Sequence, residues 1–413
     1  MGVGPGNGGN PPAPRLPDAG YHGQEMPHNA PQRAGRIIPS PRRFPAPPRV
    51  VWRRPDAPAP LRGPRRSGTD RARPGRQGKT VMAERQALDI LGIGNAIVDV
   101  VASATEAMLV QWGMPKGGMA LIDTARAEAI HDWIRAEMGE GVQTGGGSAA
   151  NTCAAAAMLG AKVGYLGKVA DDAPGRVFAE DLKGLGIRFP TAPLKGGDPT
   201  ARCLILVTPD GQRTMNTYLG ACVTFGEADV DEGAVASAAV TYLEGYLFDP
   251  PAAQAAFRRA AGIAHGAGRS VAITLSDSFC VGRHRAAFLD FIAADADIVF
   301  ANEDEALSLF EVGDVEAATA AFLATGRLVA LTRSEKGSRI ITPAGEVIEV
   351  PAVPTTLIDS TGAGDAYAAG FLAAHARGLP LAECGRWGGV AASEVISHFG
   401  ARPQADLRKL VGA

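Results

Sequence analysis

The residues able to do chemistry gather in two glycine stretches, each opening onto a helix-forming run. The later stretch reads Asp359-Ser360-Thr361-Gly362-Ala363-Gly364-Asp365-Ala366-Tyr367-Ala368-Ala369-Gly370-Phe371. Gly362 and Gly364 permit a tight turn and a close backbone approach. The alanine-rich run from Ala366 forms helix readily apart from Gly370. A glycine turn that feeds a helix start offers unpaired N–H groups at the positive end of the helix dipole, which is an anion site. Asp365 places a carboxylate at that same end. Two readings fit these residues. One is a general base held beside a bound phosphate. The other is an ordinary helix cap, because Asp and Gly are common at helix starts.

The earlier stretch, Gly145-Gly146-Gly147-Ser148-Ala149-Ala150-Asn151-Thr152, also opens onto an alanine-rich helix. Together, G-G-x-x-x-N early and D-x-T-G-A-G-D late resemble the ribokinase-like (PfkB) carbohydrate and nucleoside kinase family. The resemblance runs from about Leu88 to about Pro403. It implies ATP-dependent phosphoryl transfer to an alcohol, with Mg2+ on the donor phosphates. Asp365 is then the base, and the amides of Gly362, Ala363 and Gly364 form the anion hole. Asp99, with Asn95, Gly146, Gly147 and Asn151, is placed on the acceptor's hydroxyls; an ionised carboxylate suits two adjacent hydroxyls. Without the resemblance, Asp99 reads equally as a strand-end residue facing solvent.

The same resemblance assigns Asn302 and Glu305, an N-x-x-E pattern, to the magnesium–phosphate cluster, with Glu305 acting through water. Acidic residues in a first helical turn are also expected from the dipole alone. Thr332 and Gly337 match positions beside the nucleotide, although Ser334 stands where the family usually has a glycine. Thr361 is counted on the cofactor side, and Asp359 with Thr361 would hold a monovalent cation such as K+. Arg213 is a candidate to neutralise phosphate charge or, equally, a solvated turn residue.

For the acceptor, Gly92–Asp99, Gly117–Asp123 and Thr274–Phe279 look most like adenosine kinases. Tyr246, Leu247 and Phe279 are the candidates to stack a base, although such enzymes often carry a Phe where Leu247 aligns. A sugar kinase of ribokinase or fructokinase type is the alternative. A catalytically idle, ligand-sensing homologue is a third reading, against which the intact Asp365 and glycine turn speak.

These residues must be positioned by a scaffold, and its pattern is legible. Leu88–Gly94 reads as a buried strand continued by Asn95–Val101, and its G-x-G lacks the third glycine of a dinucleotide fingerprint. Helices are expected over Thr124–Met138, Ser148–Leu159, Ala173–Leu185, Ala252–His265, His284–Ala293, Glu303–Phe310 and Val315–Ala324. Strands are expected at Val163–Val169, Val240–Leu243, Ser270–Leu275, Asp297–Ala301 and Leu328–Thr332. This alternation predicts an α/β fold, a mostly parallel sheet with helices on both faces, with ligands at the carboxyl ends of strands. Ala201–Val207 and Thr214–Leu219 flank Pro209-Asp210-Gly211, a hairpin signature. With a strand at 117–122 they predict a small β-sheet lid, or on the plainer reading an edge hairpin. The kinase domain is therefore expected over 83–413, with its lid from about 115–123 and 201–219.

Of the 413 residues, 46% are hydrophobic and 20% charged, which suffices for a large core. The net charge of −2 conceals an asymmetry: residues 1–82 carry fifteen Lys/Arg and four Asp/Glu, the remainder twenty-six and thirty-nine. The first 82 residues are Pro-, Gly- and Arg-rich without periodicity and read as disordered. They fit a basic nucleic-acid or membrane arm, a targeting peptide, or sequence ahead of a true start at Met82, which the composition step favours. The Gly75–Thr80 piece mimics a phosphate loop, but Arg73 occupies the first glycine position. The five cysteines form no C-x-x-C pair, and the histidines show no zinc spacing. No stretch reads as a secretory signal or membrane span. The expectation is a cytoplasmic monomer or homodimer that binds ATP and a small acceptor, without nucleic acid unless the basic extension is real.

Overall fold

A computed structural model of the chain describes residues 87–139 and 141–413. The basic extension and the Met82 start lie outside the described residues. In chain order the strands are β1 (Leu88–Ile93), β2 (Ile97–Ser103), β3 (Met119–Leu121), β4 (Val142–Gly146), β5 (Val163–Leu166), β6 (Ala201–Val207) and β7 (Arg213–Tyr218). They continue as β8 (Ala238–Glu244), β9 (Ser270–Thr274), β10 (Ile298–Asn302), β11 (Leu328–Thr332), β12 (Ser338–Ile341) and β13 (Val347–Val350).

Eight strands form one large sheet in the order β13-β12-β11-β10-β9-β8-β1-β5. The pairs from β11 through to β5 are parallel, and β12 and β13 extend the sheet antiparallel. Successive residues of each strand point to opposite faces, and both faces are apolar. Ile90, Tyr242, Ala272, Ile298, Phe300 and Ala330 join one core with Phe371 and Trp387. Leu91, Leu243, Ile273, Val299 and Leu331 join the other with Phe257, Phe288 and Phe322. Helices Ser148–Met158, Ala363–Ala376 and Leu381–Val395 cover the first face, and Pro251–Gly266, Ser278–Ala294, Glu303–Phe310 and Val315–Thr325 the second. A parallel sheet coated on both sides explains the near-continuous hydrophobic runs in the sequence. The strand order reverses between β1 and β8, and such a reversal opens a crevice at the strands' carboxyl ends.

The structure corrects the sequence reading at three places. The first strand does not continue through Asn95–Val101. A side chain at Gly94 would begin 2.3 Å from Glu244 Oε2; the chain leaves the large sheet at this close approach, and Ile97–Ser103 becomes β2 of a second sheet. That second sheet therefore has five strands, β3-β7-β6-β2-β4, rather than the three expected. Its β6–β7 hairpin is antiparallel as the sequence indicated, closed by Thr208 N donating to Gln212 O at 3.0 Å. The helix expected from His284 begins at Ser278, where the Asp277 carboxylate accepts from Cys280 N, and it bends at His284 (φ −120°, ψ 18°). The strands β12 and β13 and helix Leu381–Val395 were not anticipated.

All five cysteines are free and buried. Burial pushes the thiols of Cys153, Cys203 and Cys280 up to about 12 and that of Cys384 to about 11, and it raises Cys222 further still. Among the described residues no helix is long and apolar enough to cross a membrane.

Helices Ala363–Ala376 and Leu381–Val395 cross at Gly370, where an added Cβ would lie 2.4 Å from Trp387 O. Helix propensity alone favours alanine by about 1 kcal/mol, whereas overpacking against fixed backbone costs about 1–3 kcal/mol. The contact should win: Gly370→Ala is expected to lower the melting temperature, and an unchanged or raised value would show that the two helices can separate without cost.

Candidate active site

Both glycine stretches place helix N-termini at the carboxyl-end crevice. Gly147 caps helix Ser148–Met158 with φ +94°, and Gly362 caps helix Ala363–Ala376 with φ +79°. Neither position admits a side chain. A Cβ at Gly147 would begin 2.3 Å from Asn95 O, and one at Gly362 would begin 2.6 Å from Ala401 O. The two helices pack together, and their first turns meet at one carboxylate. Asp365 Oδ1 accepts from Ser148 Oγ at 2.6 Å, and Oδ2 accepts from Asn151 Nδ2 at 3.4 Å. Burial raises the Asp365 carboxyl to about 6, against the opposing pull of these two hydrogen bonds. Both carboxylate oxygens thus serve the neighbouring helix, although Asp365 also stands in the first turn of its own.

The anion turn differs from expectation at one residue. The N–H of Ala363 donates to Ser360 O at 3.2 Å, so Ala363 is occupied within the turn. Gly364 is open, with nothing within 4 Å of where a side chain would start.

Across the crevice, Asp99 on β2 lies against Gly146, where an added Cβ would fall 2.5 Å from its carboxyl carbon. Burial pushes Asp99 up to about 6, with Arg213 and Arg402 opposing and Asp365 adding to the rise. Arg213 reaches from the hairpin to the start of the late motif. Its Nη1 donates to Asp359 Oδ2 at 2.9 Å, and the pair is 13% and 9% exposed, so this is a largely buried ion pair. Gly400 N meets the same oxygen at 3.0 Å, while Thr361 N and Oγ1 meet Oδ1 at 2.9 and 2.6 Å. Burial alone would raise the Asp359 carboxyl; the bonds from Thr361, Gly400 and Arg213 outweigh it and hold it at about 2. The positive charge beside Asp359 and Thr361 in this arrangement is the guanidinium.

Asn95 is buried, and its amide group is bonded to Glu244. Asn95 Nδ2 donates to Glu244 Oε1 at 2.7 Å, and Ala149 N donates to Glu244 Oε2 at 2.8 Å. Glu244, which ends β8, escaped the sequence analysis together with Ser148, Asp181 and Arg402. A charged residue closing the apolar run Val240–Leu243 was the available signal for Glu244. At 1% exposure it is the most deeply placed carboxylate of the site, and burial raises it to about 7 despite its three donors.

The residues assigned to the nucleotide lie at the same end of the sheet, on β10 and β11, where Asn302 and Thr332 are register partners. Asn302 and Glu305 bond reciprocally as a capping box: Asn302 N donates to Glu305 Oε2 at 3.0 Å, Glu305 N donates to Asn302 Oδ1 at 2.8 Å, and Asn302 Nδ2 adds a bond to Glu305 Oε1 at 2.7 Å. Glu305 is buried, which raises its carboxyl to about 7. Among the described residues no three metal-ligating side chains converge. Thr332 Oγ1 contacts Ala301 O at 3.4 Å. Gly337 (φ +84°) abuts Val350 O. Ser334, in the glycine's place, keeps a left-handed φ of +49°.

The base-stacking candidates separate. Leu247 is 1% exposed in the core and cannot stack a ligand. Tyr246 is at the surface, with its OH 3.3 Å from Ser276 O. Phe279 is 78% exposed on the first turn of its helix.

The comparison with known proteins follows this geometry. The model of the "pfkB family carbohydrate kinase" matches residues 115–407. The chain belongs to the PfkB family. A cytidine kinase from Thermococcus kodakarensis is 31% identical over 276 residues, spanning 63% of this chain and 91% of that protein. An adenosine kinase structure from Sinorhizobium meliloti is 48% identical with a TM-score of 0.71, covering 78% of this chain and 98% of its own. A probable sugar kinase from Rhizobium etli is 44% identical with a TM-score of 0.72, covering 79% and 98%. This PfkB protein is therefore an ATP-dependent kinase of nucleosides or sugars, and kinases of the family use ATP and Mg2+.

Glu244 should make the fold sensitive to pH. Its carboxyl rises from 4.5 to about 7 on burial, so the native state binds the proton more tightly than the unfolded chain. The stability it contributes is full below pH 4.5 and is lost as pH climbs through about 7; the whole change is about 3 kcal/mol. Asp99, Asp365 and Glu305 shift in the same direction. Melting temperature followed from pH 4.5 to 8 should fall less steeply for Glu244→Gln than for the unmodified protein, whatever their absolute values. Parallel curves would mean that Glu244 does not titrate in this window.

Proposed function

We propose that this protein transfers the γ-phosphoryl group of ATP to the primary hydroxyl of a nucleoside, adenosine first among them. The observation that carries the reaction is Asp365: a carboxylate at a helix start directly after the Gly362-Ala363-Gly364 turn, gripped by Ser148 and Asn151. A carboxyl near 6 is ionised at neutral pH and still basic enough to accept a proton. The acceptor hydroxyl gives its proton to Asp365 as its oxygen bonds to the γ-phosphorus, and the bond from that phosphorus to the ADP oxygen breaks. The amides of Gly362 and Gly364 and the helix dipole stabilise charge on the moving phosphoryl group. Arg213, now paired with Asp359, is near enough to that turn to share this work. Asp99 against Gly146 accepts from the acceptor's hydroxyls, and Arg213 and Arg402 favour its ionised form. Glu305 would hold Mg2+ through water, and the ion would supply positive charge to offset the donor phosphates. The small sheet that carries Asp99 and Arg213 acts as a lid on the acceptor; a monovalent cation at Asp359 and Thr361 would take the place that the Arg213 guanidinium now fills.

Adenosine is favoured by the 48% identity to the Sinorhizobium meliloti adenosine kinase and by exposed Tyr246 and Phe279 at the crevice end of the sheet, free to meet a base. A sugar acceptor is the second reading, favoured by the burial of Leu247 and by the 44% identity to the Rhizobium etli probable sugar kinase. ATP consumption measured against adenosine, cytidine, other nucleosides, ribose and fructose decides between them. Adenosine should turn over fastest; product from ribose or fructose alone would transfer the reaction to sugars.

The base is tested separately. Asp365→Asn keeps the shape and the hydrogen bonds but cannot take a proton, so kcat should fall by about 10²–10⁴, with ATP and acceptor affinities little changed. Gly362 rather than Asp365 caps the helix, and Asn is a neutral isostere at a buried position, so the melting temperature should not fall much. A folded variant with near-normal turnover would reduce Asp365 to a structural link between the two helix starts.

A further inference from the structure

Arg402 comes from the loop after helix Leu381–Val395, far in sequence from either glycine motif, yet its guanidinium lies between them. Nε donates to Asn151 Oδ1 at 3.2 Å, and Nη1 donates to Asp181 Oδ2 at 2.7 Å. Asp181 stands on helix Ala173–Gly184. The remaining nitrogen, Nη2, is buried without a partner among the described residues. The neighbouring residues of the loop are engaged at the same place: Gly400 N bonds Asp359, and the Ala401 backbone fills the space beside Gly362.

The chemistry of the pair dictates its consequence. A guanidinium only donates, so the Asn151 atom that faces Arg402 is the carbonyl oxygen. The amide nitrogen is then the atom left for Asp365 Oδ2. With Arg402 removed, the Asn151 amide keeps only its long 3.4 Å contact to Asp365, so its NH2 group is free to swing away from the carboxylate and the base loses a fixed donor. The fork is itself built in. A side chain at Gly145 would begin 2.5 Å from Asp181 Oδ2 and 3.2 Å from Arg402 Nη2. The first glycine of the early stretch thus makes room for the Arg402–Asp181 pair and has no part in the helix start, which is capped by Gly147.

We propose that Arg402, anchored by Asp181, is a positioning residue that fixes the Asn151 amide so that its NH2 group orients the Asp365 base. This rests on the reading of Asp365 as the base. No hydrogen bond joins Arg402 to the phosphate turn or to the nucleotide residues at β10 and β11, so its loss should leave KM for ATP alone; it should lower kcat at saturating acceptor, and it should also raise KM for the acceptor, because Arg402 favours the ionised form of Asp99.

The test is a double-substitution cycle on the full chain, using whichever acceptor the panel shows to be turned over. Arg402→Met should lower kcat about tenfold with KM for ATP unchanged, and Asn151→Ala should lower it by a comparable factor. If Arg402 acts through Asn151, adding Arg402→Met to Asn151→Ala should cost little more. Losses that multiply in full, or an Arg402→Met enzyme with normal kcat, would overturn the proposal. Arg402→Lys keeps the charge but not the planar fork, so it should behave as Arg402→Met; full activity in the lysine variant would overturn the proposal too. Should Arg402→Met not fold, the lysine variant runs the same cycle. Asp365→Asn serves as the outside reference. Normal turnover there ends the base reading itself, whereas an inactive Asp365→Asn with multiplying Arg402 and Asn151 losses ends only the role of Arg402.

Discussion

A carboxylate shared between two helix starts is the constraint from which the site follows. Asp365 is drawn out of water, and an ionised group in that position must be paid for with hydrogen bonds or neutralised. Ser148 and Asn151 supply the bonds from the adjoining helix. For those donors to arrive, both helices must begin at one depth, which requires backbone where side chains cannot fit: Gly147 against Asn95, Gly362 against Ala401. Behind them Glu244 fixes the crossover at Asn95 and the Ala149 amide of helix Ser148–Met158. The two motifs, 214 residues apart from Asn151 to Asp365, form one object.

Most of the large sheet was legible in the sequence because a parallel sheet coated on both faces writes itself as unbroken apolar runs alternating with amphipathic helices. Helices Thr124–Met138 and Glu303–Phe310 and strand β11 fell on their expected bounds. What was not legible involves contacts remote in sequence. Asn95–Val101 is as apolar as the strand before it, and only the approach of Gly94 to Glu244 ends β1 and sends the chain into the second sheet. Strands β12 and β13 are four residues each and carry too little period to announce themselves. At the site, residues inside the glycine motifs could be marked from their local setting. Glu244 could have been marked as a charge closing an apolar strand. Arg402 and Asp181 could not, because nothing around either residue in the sequence distinguishes it from a surface charge.

The second sheet is tied to the body at the site itself. Asp99 and Arg213 both belong to it, and Arg213 closes on Asp359 in a pair sheltered from solvent. A buried pair of this kind adds little net stability but is costly to break by removing one partner, so it specifies where the hairpin rests more than how firmly the protein folds. Ser334 shows a comparable priority. It holds a left-handed conformation that costs a non-glycine residue about 1–2 kcal/mol, which keeps the turn between β11 and β12 in shape without the glycine usual there.

The burial of all five cysteines has an experimental use. A thiol held at about 11 or above exposes almost no thiolate near neutral pH, and the thiolate is the form that reacts. These thiols lie on both faces of the large sheet and in the second one: Cys153 and Cys384 under the first helical layer, Cys280 under the other, Cys203 within β6. Each should remain silent to an alkylating reagent until its own layer opens. The order in which they become labelled would therefore record, layer by layer, how the protein comes apart, with no probe added.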